Sequence, residues 1–260
     1  MVRLSDSVRA GLSRILTLIF PVRCAVCHAS LGTQPRAEHG NPSGGSCLCA
    51  SCLTKWQAAR AVLCPECQKP IMLCRCVTLG DGTVPLYSLL PYRPGSDDPV
   101  SRFLLMRKTQ LHPAAEDFLA GQVSVLCQCA AAEIGGASDE WILTYPPRSI
   151  KKRREVGHDQ SEVLAKRLSR LTGIPEMNCL QRVVGADTAQ KTLGAAERAE
   201  NAEDSYRLKD APAEDIRGKR VILIDDIATT GATLSVCAAH LRQAGASAVV
   251  AVTAARTVHQ

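Results

Sequence analysis

The distribution of cysteines is the feature that most limits how this chain can fold. Nine of its 13 cysteines lie between residues 24 and 76. They form four close groups: Cys24-x-x-Cys27, Cys47-x-Cys49-x-x-Cys52, Cys64-x-x-Cys67 and Cys74-x-Cys76. Two thiolates separated by two residues fit on one tight turn and can reach a single ion at about 2.3 Å. A disulfide framework would instead accompany a signal peptide, which residues 1–20 do not resemble. The spacing therefore predicts zinc sites.

Two tetrahedral zinc sites need eight thiolates, so one of the nine cysteines is surplus. In a sequential grouping the surplus residue is Cys47, and the two sites are Cys24, Cys27, Cys49 and Cys52, then Cys64, Cys67, Cys74 and Cys76. An interleaved grouping, with the first pair joined to the third, is the alternative. His28 and His39 are potential substitutes, although a surface histidine is the simpler interpretation of each. We expect about two structural Zn²⁺ in a small tandem zinc-ribbon domain over residues 21–80, because this segment has few large apolar side chains for a core of its own.

The first twenty residues carry apolar side chains at helical spacing. Val8, Leu12 and Ile15 recur three to four residues apart, with Arg9 and Arg14 between them. This pattern predicts a short amphipathic helix over residues 1–20. No apolar run in the chain approaches the roughly 18 residues of a membrane-spanning helix. We therefore expect no stable membrane insertion and a cytoplasmic location.

Residues 81–260 show the alternation of strands and helices that is typical of an α/β domain. Residues 221–224 form the continuous apolar run of a strand buried on both faces of a parallel sheet. Apolar residues follow at helical spacing over 234–241, and 248–253 has the pattern of the next strand. A second unit begins with a strand at 141–144, followed by a polar loop and a helix. The pattern predicts a parallel sheet with flanking helices.

Two acids and a threonine-rich loop follow the predicted strand at 221–224. Asp225 and Asp226 come first, and residues 228–233 then read Ala-Thr-Thr-Gly-Ala-Thr. Open α/β sheets bind ligands at the carboxyl ends of their strands, and the free N–H groups that open a helix bind phosphate. Carboxylates beside that loop can accept hydrogen bonds from a sugar diol, and Gly231 allows the backbone to approach a phosphate closely. The pattern predicts a ribose 5-phosphate site; a generic capped strand-to-helix turn is the alternative.

This stretch resembles the motif of type I phosphoribosyltransferases that binds phosphoribosyl pyrophosphate (PRPP). The resemblance implies a five-stranded, mainly parallel sheet and PRPP bound together with Mg²⁺. It also makes Asp225 and Asp226 the catalytic pair that contacts the ribose hydroxyls. The residues implied to wrap the 5-phosphate are Ala228, Thr229, Thr230, Gly231, Ala232 and Thr233.

Both halves together resemble the ComF family, whose members combine zinc knuckles with a PRPP-type domain and are associated with DNA uptake in natural competence. Residues 190–206 resemble the family's segment before the PRPP strand, through Gln190, Leu193, Arg198, Asn201 and Tyr206. Residues 156–160 resemble its Arg-Gly-Phe-Asn-Gln loop, although this chain has Val156 and His158 where the family has Arg and Phe. A family lysine corresponds to either Arg107 or Lys108.

A run of four basic residues, Lys151, Lys152, Arg153 and Arg154, lies on the predicted loop after the strand at 141–144. Three interpretations of this run are open: it contacts the pyrophosphate of PRPP, it contacts DNA phosphates, or it is a solvated loop. The chain as a whole is not strongly basic, since residues 81–260 carry 22 basic and 22 acidic residues. Any contact with DNA is therefore expected to be local.

The sequence leaves three functions open. The first is a ComF-type protein that binds PRPP and assists single-stranded DNA during uptake, with competence proteins as partners. The second is an active transferase that moves ribose 5-phosphate to a nitrogen acceptor and releases pyrophosphate. The third is an adaptor whose zinc ribbons contact protein or DNA, with PRPP binding kept as a sensor. Residues after 253 do not suggest the base-reading hood of purine-salvage relatives, which disfavours salvage.

Overall fold

A computed structural model describes residues 22–31, 47–183, 205–209 and 213–258. The helices are α1 (Ala50–Arg60), α2 (Pro99–Arg107), α3 (Pro113–Ile134), α4 (Ile150–Val156), α5 (Gln160–Thr172), α6 (Ala213–Ile216) and α7 (Ala232–Gln243). The strands are β1 (Thr78–Leu79), β2 (Val84–Tyr92), β3 (Trp141–Thr144), β4 (Leu180–Arg182), β5 (Tyr206–Leu208), β6 (Arg220–Ala228) and β7 (Ala248–Thr257). The amphipathic helix predicted at 1–20, His39 and the family-like residues from Gln190 to Asn201 lie outside the described residues.

Five strands form one mixed sheet in the order β1-β2-β7-β6-β3. The pairs β2–β7, β7–β6 and β6–β3 are parallel, and the short β1 is antiparallel to β2. Strands β6 and β7 lie inside the sheet, as expected of the two apolar runs that need burial on both faces. The predicted α/β class, with a mainly parallel sheet and flanking helices, is confirmed. β4 and β5 form a separate antiparallel pair.

Alternate residues of β6 enter two different hydrophobic clusters. Ile222 and Ile224 pack in the cluster that contains residues of α2, α3 and α5. Val221 and Leu223 pack in the cluster that contains residues of α7 and of the β4–β5 pair. This alternation follows from the two-residue period of a strand and positions the end of β6 between the two helical layers.

The two central strands continue beyond their predicted ends. β6 does not stop at Ile224 but runs through both acids to Ala228, because Ile227 and Ala228 still pair with Ala255 and Arg256 of β7. β7 likewise extends to Thr257. The acid pair therefore belongs to the strand, and only residues 229–231 connect it to α7.

The cysteine-rich segment packs directly on the α/β part. Trp56 of α1 is 2% exposed and meets Phe103 and Phe118 edge-on, with ring centroids 5.0 and 5.1 Å away. Edge-to-face aromatic contacts of this kind add to the gain from burial. Strand β1 also joins the sheet before residue 80. The division of the chain at residues 20 and 80 stays a prediction.

Candidate functional site

The acid pair lies near the carboxyl end of β6. Asp225 Oδ1 accepts a hydrogen bond from Ser161 Oγ at 2.9 Å and from the N–H of Asp226 at 2.8 Å. Asp226 Oδ1 accepts from the N–H of Ile227 at 2.7 Å. Burial, and then the neighbouring Asp226 carboxylate, raise the pKa of Asp225 to about 7. Adjacent carboxylates, one of which has a raised pKa, are typical of a binding or catalytic site.

The loop after β6 turns directly into α7. Gly231 is the residue before the helix, in the left-handed conformation with φ of 78°. Thr229 and Thr230 are exposed, and Thr230 Oγ1 accepts a hydrogen bond from the N–H of Ala232 at 3.3 Å. Exposed hydroxyls and the first N–H groups of a helix of 12 residues thus lie together, an arrangement that favours phosphate.

Gly231 is required by the protein's own packing, apart from the predicted contact with a phosphate. A Cβ at this position would lie 2.5 Å from Cδ2 of Leu79. The positive φ is also strained for any other residue. The structure therefore explains the glycine by its backbone conformation and by the Leu79 side chain, which packs against it. Close approach of a phosphate at this glycine stays a prediction.

A cavity of about 170 Å³ opens beside the acid pair. Its lining combines acidic and hydroxyl groups, from Asp225, Asp226, Ser161 and Thr233, with basic groups. The basic lining residues are Lys108, Arg148, Lys152 and Arg182. Opposite charges around a small cavity suit a ligand that carries both hydroxyls and phosphates.

The sequence left Arg107 and Lys108 as alternatives for the family's lysine, and the structure distinguishes between them. Arg107 is fully buried and forms a bidentate pair with Glu116, with Nε–Oε1 and Nη2–Oε2 distances of 2.8 and 2.6 Å. The prediction that Arg107 contacts the ligand is therefore wrong, because its charge is already neutralised inside the protein by Glu116. Lys108 lines the cavity, and its Nζ lies 3.9 Å from Asp226 Oδ2.

The basic run at 151–154 lies on helix α4 and not on the predicted loop. Ser149 Oγ accepts from the N–H of Lys152 at the start of this helix, and Gly157 ends it with φ of 82°. These are ordinary helix-capping residues. All four basic residues are exposed. Lys152 lines the cavity, whereas Arg153 Nη2 pairs with Glu162 at 3.2 Å.

The sequence analysis did not assign a ligand contact to several residues that line the cavity, among them Ser161, Arg148, Arg182 and Tyr206. Ser161 and Arg148 are brought to the acids by Asp159, which caps α5 and accepts from the N–H of Arg148 at 2.6 Å. Arg182 and Tyr206 come from the β4–β5 pair, where Arg182 Nη1 donates to Tyr206 Oη at 2.8 Å. The Asp-Gln-Ser order at 159–161 is a helix-start signal that identifies α5, but no local pattern indicates Arg148 or Arg182.

The eight cysteines of the sequential grouping form two clusters. Within Cys24, Cys27, Cys49 and Cys52, and within Cys64, Cys67, Cys74 and Cys76, all sulfur atoms lie within 4.8 Å of one another. We call these the first and the second cluster. Individual separations are 3.5 Å for Cys27–Cys49, 3.6 Å for Cys64–Cys76 and 3.2 Å for Cys74–Cys76. A tetrahedron with bonds of about 2.3 Å has edges of about 3.8 Å, so each set could hold a metal ion such as zinc.

The other cysteines stand apart from these two sets. Cys47 is fully buried, and its carbonyl oxygen accepts from the N–H of Ala25 at 2.8 Å, next to a ligand of the first cluster. His28 contributes a backbone turn with φ of 58°. Cys127, Cys179 and Cys237 are buried and Cys129 is half-buried, as expected of small apolar side chains.

Comparison with known proteins supports the class that the fold and site define. Residues 159–259 match the family model of the phosphoribosyl transferase domain. The matched region contains α5, the acid pair, α7 and the connection at 229–231 between β6 and α7, which we call the phosphate loop. This part of the chain is therefore similar to a phosphoribosyl transferase domain.

Two relatives extend the likeness. The chain is 32% identical to Competence protein F of Haemophilus influenzae over 106 residues, which cover 41% of this chain and 45% of that protein. It is 26% identical to DNA utilization protein YhgH of Salmonella typhimurium over 207 residues, which cover 78% of this chain and 87% of the relative. The chain thus spans less than half the length of the first relative. These relatives confirm the resemblance to the ComF family that the motifs indicated.

Among solved structures, an allosteric regulatory enzyme of purine biosynthesis is similar over 59% of this chain and 30% of its own, with 19% identity and a TM-score of 0.38.

Across the described residues, no helix combines the length and the apolar character that crossing a membrane demands.

Proposed function

We propose that this chain is a ComF-type protein that binds PRPP in the cytoplasm and assists single-stranded DNA during uptake. One observation carries the proposal: the acid pair, the start of α7 and four basic side chains converge on one cavity at the carboxyl edge of the sheet. The name of each relative supports the connection to DNA, since one is a competence protein and the other a DNA utilization protein.

PRPP has three recognisable parts, and the cavity offers a group for each. Asp225 and Asp226 are suited to accept hydrogen bonds from the ribose hydroxyls. The helix start at 229–233 is suited to the 5-phosphate. Lys108, Arg148 and Arg182 line the same cavity and are suited to the pyrophosphate. When Mg²⁺ accompanies PRPP, it supplies charge neutralisation for the pyrophosphate oxygens.

An active transferase is the second candidate, and the basic lining of the cavity favours it. Transfer to a nitrogen acceptor breaks the bond between the ribose carbon and the pyrophosphate oxygen, and positive charges near that oxygen stabilise the leaving group. Release of pyrophosphate from PRPP in the presence of a panel of nitrogen bases would identify this activity. PRPP binding without release would support the binding function.

DNA contact is proposed for the exposed face of α4. All four of its basic residues are exposed, and only Arg153 has an ion-pair partner among the contacts that the described residues make. The two cysteine clusters are proposed to bind zinc, and the first cluster is a second candidate contact for DNA. Competence proteins are the proposed protein partners.

The test of PRPP binding is titration calorimetry with PRPP and Mg²⁺. Replacing both Asp225 and Asp226 by alanine should weaken binding at least tenfold, or about 1.4 kcal/mol, because hydrogen bonds to charged groups contribute about 1.5–3 kcal/mol each. Asp97→Ala is the matched control, since Asp97 is an exposed carboxylate that pairs with Arg102 and does not line the cavity. A folded wild-type protein that does not bind PRPP at millimolar concentration would exclude the proposal.

The test of DNA binding is the salt dependence of affinity for a single-stranded oligonucleotide. Alanine at all four positions from Lys151 to Arg154 should lower affinity and flatten the logarithmic salt slope by about 0.7 for each phosphate that is no longer neutralised. The control replaces Arg217 and Lys219, two basic residues at the amino end of β6. Equal slopes for wild type and the α4 variant would assign the basic face to solvent.

A further inference from the structure

Arg256 connects the second cysteine cluster to the edge of the sheet that carries the phosphate loop. Its Nη2 atom lies 3.3 Å from Sγ of Cys64 and 3.3 Å from Sγ of Cys74. Arg256 is 7% exposed and belongs to β7, an inner strand of the sheet. A buried guanidinium thus donates hydrogen bonds to two candidate metal ligands that lie 192 and 182 residues away in sequence.

The chemistry of the cluster explains why a cation is needed there. Four thiolates around one divalent ion carry a net negative charge, and Cys64 and Cys74 are almost completely buried. A buried charge is stable only when it is paired and hydrogen-bonded. Hydrogen bonds from the surrounding protein to metal-binding groups also orient them and strengthen metal affinity. Arg256 meets both requirements because its charge is permanent.

The backbone of the same residue borders the phosphate loop. In the parallel register of β6 and β7, Arg256 pairs with Ala228, the last residue of β6 before the loop. The side chain of Arg256 therefore contacts the second cluster, and its backbone lies beside the residue from which the loop starts. A displacement of the Arg256 side chain acts at the end of β7, where β6 also ends.

A second connection runs through the chain itself. One residue, Val77, separates Cys76 from β1, and Leu79 of β1 packs against Gly231 of the phosphate loop. The N–H of Gly80 donates to Ser235 Oγ at 3.0 Å, and that hydroxyl donates to the carbonyl of Gly231 at 3.0 Å. The segment that leaves the second cluster thus supports the end of the loop, whereas Arg256 borders its beginning.

The cluster is held in place by the α/β part. Arg75, which lies between two candidate ligands, forms a bidentate pair with Glu133 of α3, with its nearest Nη2–Oε1 distance 2.8 Å. Its guanidinium stacks 4.2 Å above the ring of Tyr87, whose hydroxyl donates to Glu133 Oε2. The second cluster is therefore fixed to the same sheet that carries the loop.

We propose that the metal-loaded second cluster is a positioning element of the phosphate loop, acting through Arg256 and through residues 77–80. The expected effect of the cluster on PRPP affinity rests on the proposed function. The expected effect on the order of the loop does not depend on it. The first cluster provides the contrast, because α1, the helix that carries its Cys52, docks through Trp56 on Phe103 and Phe118 and not on residues 229–235.

The test compares three variants in the full chain. Cys76→Ser opens the second cluster, Arg256→Gln removes the cation but no ligand, and Cys27→Ser opens the first cluster as a matched control. Each is measured for zinc content and for zinc release to a chromophoric chelator. Amide hydrogen exchange over residues 229–235 and PRPP affinity follow in the same preparations.

We expect Cys76→Ser and Cys27→Ser each to lose one ion. Of these three variants, only Cys76→Ser and Arg256→Gln should raise the hydrogen-exchange rate of the loop amides, by about tenfold. Local opening becomes easier where supporting interactions are removed. PRPP affinity should fall with the same two variants. Arg256→Gln should also release zinc faster from an otherwise intact cluster. A fourth variant, Leu79→Ala, should speed loop exchange while zinc release stays at the wild-type rate.

The proposal is overturned if Arg256→Gln matches wild type in zinc release and loop exchange, or if Cys27→Ser disturbs the loop as much as Cys76→Ser does. If Cys76→Ser fails to fold, Arg256→Gln and Leu79→Ala decide the question with every metal ligand intact. If wild type does not bind PRPP, the proposed function fails, and loop exchange still decides whether the second cluster positions the loop.

Discussion

Replacing Asp225 by asparagine should stabilise the protein at pH 8 while weakening PRPP binding. Asparagine keeps an oxygen that can accept from Ser161 Oγ and from the N–H of Asp226. The substitution removes the negative charge, which burial and Asp226 disfavour. The perturbation therefore isolates the charge from the hydrogen bonds.

The magnitude follows from the pKa of Asp225, which rises from 3.8 to about 7 in the folded protein. Each pKa unit corresponds to about 1.4 kcal/mol, so the upper limit is about 4 kcal/mol. Between pH 4 and pH 7 the unfolded chain has released this proton while the folded protein retains it. The free energy of unfolding therefore falls as pH rises through this window and stays lower above pH 7. Asp225→Asn removes that penalty, and we expect a gain of about 2–4 kcal/mol at pH 8.

The assay is thermal unfolding of wild type and Asp225→Asn at pH 5 and pH 8. The variant should melt at least about 5 °C higher at pH 8, with a smaller difference at pH 5. Asp97→Asn is the control, because Arg102 lowers the pKa of Asp97 and removing that carboxylate should not stabilise the protein at pH 8. The reasoning is refuted if Asp225→Asn is no more stable than wild type at pH 8, or if its advantage is independent of pH.

Three further predictions concern metal content and packing. Elemental analysis should find about two zinc ions per chain; Cys64→Ser should remove one, whereas Cys47→Ser should leave the count unchanged. Trp56→Ala should lower the free energy of unfolding by about 3–5 kcal/mol in urea titrations, since it empties the space between α1 and two phenylalanines. Glu116→Gln should cost about 3–5 kcal/mol in the same titration, because it leaves the Arg107 charge buried without its partner; a cost below about 1 kcal/mol would show that this charge is solvated.

Short-range sequence patterns were sufficient for the main features of both halves. The paired cysteines predicted the cysteine pairs themselves, because two residues between ligands already define the turn. The sequential and the interleaved grouping of these pairs both stayed open, and the structure shows the sequential one. The apolar run before Asp225 predicted a central strand, and the threonine-rich loop predicted the start of α7. Local geometry is enough for each cysteine pair, for the strand and for the helix start, whereas Cys27 and Cys49, 22 residues apart, meet only through the tertiary structure.

The ends of elements were less well predicted. β6 continues to Ala228 because β7 offers pairing partners as far as Arg256, which the apolar run alone does not reveal. The basic run was placed on a loop, although Ser149 and Gly157 cap it as helix α4. Hydrogen bonds with neighbours and caps decide such boundaries.

The sequence by itself determined the class of fold, the cysteine pairs and the acid pair with its loop, and the structure decided how the cysteine pairs combine. Only the tertiary structure decided that Lys108 rather than Arg107 faces the cavity, that Arg148 and Arg182 join it, and that Arg256 contacts the second cluster. These choices depend on burial and on contacts between distant parts of the chain. A charge that is neutralised inside the protein and one that faces a ligand look alike in a sequence, because only packing determines which of them reaches the site.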